Sequence, residues 1–191
     1  MSQETNQVLV LSPASAPSAL DFFAIDLPFE SECLRIKDNI TTYAVPSLSR
    51  VTQLMSRFDK KYHIVAFGKA CRYVVEAMEL RELTGGKSLG SVILVEPHLK
   101  ASTRMPESGA DMVWVVYNPE HLSMKLTSPW FSMATRGPTF VNGKVRSKDI
   151  TSICDHIGNS TFSCLRKRNV AKFKSFITNT IHQHNDLCKT S

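Results

Sequence analysis

No Cys-x-x-Cys pair occurs in the 191 residues, although the chain has five cysteines, at Cys33, Cys71, Cys154, Cys164 and Cys188. Scattered and odd in number, they support neither a disulfide framework nor a zinc site, and they predict free thiols in a reducing compartment. No apolar run approaches the roughly 18 residues that a membrane-spanning helix needs. The opening MSQETNQ is polar and has neither the charged n-region nor the apolar h-region of a signal peptide. A soluble, cytoplasmic protein without a membrane span is therefore expected. Internal repeats and low-complexity tracts are also missing. So are an RNA-recognition signature, a zinc-finger spacing and an interleaved aromatic platform, which removes the usual supports for a nucleic-acid partner.

What is present is a chain with 42% hydrophobic and 21% charged residues, long enough for one well-buried core and short for two. A single domain over residues 1–191 is expected, its core running from about Val8 to Gln183. The formal charge is +6 and the pI about 9.1. Much of the excess lies toward the C-terminus, in Lys144, Arg146, Lys148, Arg166, Lys167, Arg168, Lys172 and Lys174. Such a face is ordinarily solvated, and binding of nucleic acid or an acidic protein is the alternative use of it.

Runs of strand type recur along the chain: VLVLS (8–12), FFAIDL (22–27), YHIVAF (62–67), SVILVEP (91–97) and MVWVVY (112–117). The third to fifth lack polar alternation, as strands covered on both faces do. One short strand is expected within residues 30–45. A hairpin about Asn142-Gly143 and a last strand over DITSIC (149–154) complete the extended segments. A helix is predicted after Ser47, which can cap it, with Leu48, Val51, Leu54, Met55 and Phe58 at spacings of three and four. A second follows Gly68 and carries Tyr73, Val74, Ala77, Met78 and Leu80 up to the break at Gly85-Gly86. A third spans about Asn169 to Gln183 and buries Val170, Phe173, Phe176, Ile177 and Ile181. Strands alternating with helices imply an α/β three-layer sandwich with a mostly parallel sheet.

The most informative stretch is YHIVAFGKACRYVVEAM (62–78), where a strand passes into a helix through Gly68-Lys69 with almost no loop. Together with PSLSRVTQLMSRF before it and GKSLGSVILVEP after it, this stretch resembles the thioesterase branch of the α/β-hydrolase superfamily. In that branch a strand ending in small-aromatic-Ser turns at a nucleophile elbow. The resemblance places Ala66 and Phe67 before the nucleophile, Ala70 and Cys71 at two small positions after it, and Glu76 at the helix glutamate. The nucleophile position falls on Gly68, which has no side chain. Glycine suits the positive φ of an elbow without steric penalty, so the corner is expected to persist without its chemistry.

The resemblance implies where the other catalytic groups would lie. Oxyanion donors would come from SPASAPSA (12–19), which is glycine-free and includes Pro13, unable to donate. The acid would follow MVWVVY, where Glu120 is the only carboxylate beside Asn118 and His121. The base would be His156 in CDHIGNS. Cys71 is the candidate for a displaced nucleophile, its thiol open to activation by Lys69, Arg72 and the helix N-terminus. The competing pattern is a Rossmann-type cofactor-binding transferase, with Gly68, Ala70 and an acidic Glu96 at the end of the next strand. Under either pattern Lys69 and Arg72, on the first helical turn, are candidate anion ligands for a phosphate or an acidic side chain.

The expected function is that of a non-catalytic hydrolase-like module binding a protein partner or an acyl-carrier-type ligand, without a cofactor or metal. An active thioesterase or esterase with an unusual nucleophile is the alternative. Residues 123–138, with Trp130 and Phe131, suit either a shrunken lid or an interface.

Overall fold

The computed structural model of the chain describes residues 6–37, 47–99, 105–119, 145–158 and 160–189. In chain order its elements are β1 (Gln7–Pro13), α1 (Ala19–Ile25), β2 (Glu30–Ile36), α2 (Leu48–Met55), β3 (Tyr62–Phe67), α3 (Cys71–Thr84), β4 (Leu89–Val95), β5 (Ala110–Tyr117), β6 (Val145–Asp149) and α4 (Val170–Lys189). The strands form one six-stranded sheet in the order β2-β1-β3-β4-β5-β6. Every pairing is parallel, from Gln7 opposite Glu30 at one edge to Tyr117 opposite Asp149 at the other.

The period of two along each strand sorts the core into two layers. Leu9, Leu11, Ile64, Ala66, Val92, Leu94, Val113 and Val115 pack with Val51 and Leu54 of α2 and with Tyr73, Val74, Ala77 and Met78 of α3. Val8, Val10, Val65, Phe67, Ile93, Val95 and Val116 face the other way, onto Leu20 and Phe23 of α1 and Phe173, Ile177 and Ile181 of α4. The result is the expected three-layer α/β sandwich. An aromatic group sits at the centre of the second layer. Phe173 lies with its ring centroid 5.6 Å from that of Phe23 and 6.1 Å from that of Phe67. At such separations aromatic pairs add to their burial energy. No helix among the described residues is long and apolar enough to cross a membrane.

Several sequence expectations are corrected. FFAIDL belongs to helix α1 and not to a strand, because Leu20, Phe23 and Ala24 are buried at helical spacing while Phe22 and Ile25 are 72% and 78% exposed. The last strand ends at Asp149, where DITSIC was expected to begin it. Ile150–Ser152 instead form a 3-10 turn in which the Thr151 N–H donates to the Asp149 carboxylate. Ser47 starts α2 as expected, but its hydroxyl pairs with that of Ser49 (2.7 Å) and leaves the capping to its backbone carbonyl. The closing helix extends to Lys189 and buries Thr180 and His184, while Val170 and Phe176 are only partly buried. The expected hairpin at Asn142-Gly143 and residues 123–138 lie outside the described residues, as do Glu120, His121 and Lys144.

Candidate functional site

Strand order reverses beside β1, since the chain crosses from β1 to β2 on one side and returns to β3 on the other. In open parallel sheets the C-terminal ends of strands at such a reversal form the ligand-binding crevice. The corner at Gly68 lies there. Strand β3 is followed directly by a 3-10 turn over Gly68–Ala70 and then by α3. Gly68 has φ +54°, the left-handed region that an L-residue occupies at a cost. The positive φ expected from the sequence is therefore present.

The corner is closed, not open. Gly68 is buried, and a Cβ built on it would meet Thr161 Cγ2 at 3.4 Å and Thr161 Oγ1 at 3.8 Å. The neighbouring Phe162 ring stacks on Phe67 with centroids 5.6 Å apart. From the other side, the His98 N–H donates to the Gly68 carbonyl at 3.1 Å and draws the segment after β4 onto the turn. Segments from three parts of the chain thus converge on a glycine.

Cys71 opens α3 fully buried, and its thiol donates to the Ala66 carbonyl at 3.2 Å. Burial raises its pKa far above the ordinary thiol range. That is the setting of a structural cysteine and the opposite of an activated one. Arg72 is also buried, 4% exposed, with its charge disfavoured by burial and favoured by Glu76. Of the two candidate anion ligands only Lys69 reaches partway into solvent, so they do not form an open cationic pair.

The turn after β1 is bound into the fold. Ala14 N–H donates to the Ile36 carbonyl and Ala16 N–H to the Pro13 carbonyl, at 2.9 and 3.0 Å, so neither points at a substrate oxygen. Asn118, buried at the end of β5, donates through Nδ2 to the Gly158 carbonyl at 3.3 Å and tethers residues 155–158 over the strand end. His156 lies in that segment at φ +49° and is exposed. The Asp155 carboxylate beside it is paired with Lys172 and held below its usual pKa by that contact. The structure therefore brings Gly68, Cys71, and residues 156–158 and 160–163 to one end of the sheet, and among the described residues no nucleophile and base face each other.

No protein-family model and no curated protein matches the chain.

Glu96 is the residue that the hydrolase pattern left unassigned. It follows β4 directly, has φ +44° and is fully buried, and burial raises its carboxyl to about pKa 7. A non-glycine residue in the left-handed region and a buried carboxyl are each uncommon, and together they mark functional or strained positions. Its electrostatic neighbours are the buried thiols of Cys71 and Cys164. The signal available in the sequence was the acidic residue between an apolar strand and Pro97, which the Rossmann-type pattern used and the structure places next to the corner. Ser12, at the end of β1, contributes a further buried polar atom. Its hydroxyl has no hydrogen-bond partner among the described residues.

The basic face is partly neutralised from within. Lys172 pairs with Asp155, Lys174 with Asp26, and the Arg146 guanidinium lies 5.6 Å from the Trp114 ring centroid. Arg166, Lys167 and Arg168 remain exposed ahead of α4.

Proposed function

We propose that this chain is a hydrolase-like scaffold that acts by binding and not by turnover. The observation that carries this is Gly68, a buried left-handed corner whose nucleophile position has no side chain and is covered by Thr161. Three further features agree with it. The Cys71 thiol is buried and its ionisation suppressed, the Ala14 and Ala16 N–H groups of the turn after β1 are spent on internal hydrogen bonds, and His156 faces solvent. Nucleophilic catalysis needs an activated nucleophile, an oriented base and aimed oxyanion donors; here the nucleophile position is a glycine, the candidate base faces solvent and two of the candidate donors are engaged elsewhere. The ligand is a protein partner or an acyl-carrier-type group approaching the strand ends.

A second reading rests on Glu96. A carboxyl titrating near neutrality beside the crevice suits a general acid or base, as an esterase or thioesterase acting through water would require.

The two readings separate in one assay. Purified protein is tested for hydrolysis of short and medium acyl thioesters and of p-nitrophenyl esters, beside Cys71→Ala, His156→Ala and Glu96→Gln. The binding reading expects no turnover above the solvent rate in any of the four proteins. Turnover abolished by one substitution would overturn it and would name the working group.

A further inference from the structure

At the opposite end of the sheet, where β5 begins, three side chains from distant parts of the chain meet. Asp111 is the second residue of β5, and His184 and Cys188 lie one turn apart on the last turns of α4. Asp111 Oδ2 is 3.1 Å from His184 Nε2, and Cys188 Sγ is 3.5 Å from the same nitrogen. The three donor atoms all lie within 4.8 Å of one another.

Two features set this cluster apart from an ordinary hydrogen-bonded histidine. Both partners address one nitrogen. If Nε2 carries a proton and gives it to Asp111, it has no lone pair for the Cys188 thiol; if it accepts from the thiol, it faces the carboxylate lone pairs. The arrangement is therefore no relay triad, in which the carboxylate and the thiol would bind opposite ring nitrogens. Two of the three edges also fit a tetrahedral ion, while the third, from sulfur to oxygen, lies within 4.8 Å. With zinc bonds of about 2.3 Å to sulfur and about 2.0 Å to nitrogen and oxygen, a tetrahedral site has S–N edges of about 3.5 Å and N–O edges of about 3.3 Å. The observed 3.5 and 3.1 Å are close to both.

We propose that Asp111, His184 and Cys188 form a site for a divalent transition ion of the zinc type, with a water or a partner's side chain as fourth ligand. Zinc suits a mixed oxygen, nitrogen and sulfur donor set, and a histidine and cysteine four apart on one helix face present both atoms to a single point. The carboxylate has a supporting contact, whereas His184 Nδ1 is buried with no hydrogen-bond partner among the described residues. Ser88 Oγ donates to the other Asp111 oxygen at 2.8 Å and fixes the carboxylate's direction, as outer-shell partners of metal ligands do. The edge of His63 packs on His184, with ring centroids 5.2 Å apart. His63 is not a fourth ligand, because its Nδ1 accepts from the Ser91 N–H at 3.0 Å and its Nε2 faces Asn6 Oδ1 at 3.3 Å. His184 is 3% exposed and Asp111 half-buried, while Cys188 is exposed, so the open coordination position lies toward solvent. Lys60 Nζ stands 3.9 Å from Asp111 Oδ2 on a largely exposed side chain and withdraws when a cation enters. On binding, Cys188 releases its thiol proton to solvent, His184 gives the Nε2 lone pair, and its ring proton resides on Nδ1.

The test uses the full chain after chelator treatment, with Zn²⁺ alone as titrant and Co²⁺ as a spectroscopic substitute. The expected result is uptake of a single equivalent, a thiolate-to-cobalt charge-transfer band, and a melting temperature that rises with zinc concentration. Cys188→Ser, a change at an exposed position that leaves the fold intact, removes the band and weakens zinc binding at least tenfold, as does Asp111→Asn. Ser88→Ala weakens it about tenfold, in line with other outer-shell partners, and Cys33→Ser leaves it unchanged. No uptake by the parent chain would overturn the proposal. So would uptake that survives Cys188→Ser and Asp111→Asn but is lost in Cys33→Ser, which would mark adventitious thiol binding.

Discussion

Replacing Gly68 by valine tests the central structural claim, and its cost can be worked from two contributions. The first is conformational. An L-residue held at φ +54° costs about 1–2 kcal/mol relative to the right-handed region. The second is spatial. A bare Cβ already sits 3.4 Å from Thr161 Cγ2, so an alanine fits in ordinary contact, whereas the γ-methyls of valine must displace Thr161 or the turn. Overpacking of that kind costs about 1–3 kcal/mol. A gain of about 0.5 kcal/mol from the less flexible unfolded chain offsets part of this. The expected losses are therefore about 1 kcal/mol for Gly68→Ala and about 3 kcal/mol for Gly68→Val. At roughly 2–4 °C per kcal/mol for a chain of this size, valine lowers the melting temperature by about 6–12 °C. The measurement is urea and thermal unfolding followed by circular dichroism, with the denaturant slope unchanged so that midpoint shifts report stability. A valine variant as stable as the parent would refute the left-handed corner. An alanine variant as damaged as the valine one would move the cost from Thr161 to the backbone alone.

Glu96→Gln should raise stability at pH 8 and leave it unchanged at pH 4. The folded carboxyl titrates near 7 against 4.5 for the free group, so its share of stability is complete below about 4.5 and is lost as pH rises through 7. A difference of that size corresponds to about 3 kcal/mol, read as a melting difference that opens between the two pH values; parallel pH profiles for the two proteins would contradict the burial of Glu96. On α1, Phe23→Ala should cost about 3–5 kcal/mol, since Phe23 is 1% exposed among Phe67 and Phe173, while Phe22→Ala, at a side chain 72% exposed, should fall within about 0.5 kcal/mol of the parent. Equal losses at the two positions would reject the helical face assigned to residues 19–25.

The central strands were legible because β3, β4 and β5 are covered on both sides and so read as continuous apolar runs. The sheet edges were not. Strand β2 (ESECLRI) and strand β6 (VRSKD) carry charges at several positions, which keeps an edge from pairing with another chain and also removes the apolar signature of a strand. Helix α1 was hidden by a different cause. Phe22 and Ile25 are apolar and face solvent, so its seven residues show no amphipathic stripe and resemble a short strand. At the corner, Gly68 was readable because a glycine between a strand and a helix needs a backbone reason. The burial of Glu96 was not readable, since a carboxylate after a strand looks the same in sequence whether it is solvated or enclosed. The Asp111, His184 and Cys188 cluster has no spacing signature at all. Its members meet only because α4 packs across the sheet near β4 and its last turns reach the start of β5.

The aromatic centre of the second layer joins α1, β3, the 160–165 segment and α4, and the Asp26 to Lys174 ion pair beside it closes a separation of 148 residues. During synthesis the α2 and α3 side of the sheet can be covered early by neighbouring segments. The opposite side, with Val8, Val10, Val65, Phe67, Ile93 and Val95, has α1 as its only helix among the described residues until α4 is made. A chain cut before residue 170 therefore leaves the part of that face under Phe173, Ile177 and Ile181 exposed, and its apolar surface is expected to promote association until α4 is supplied.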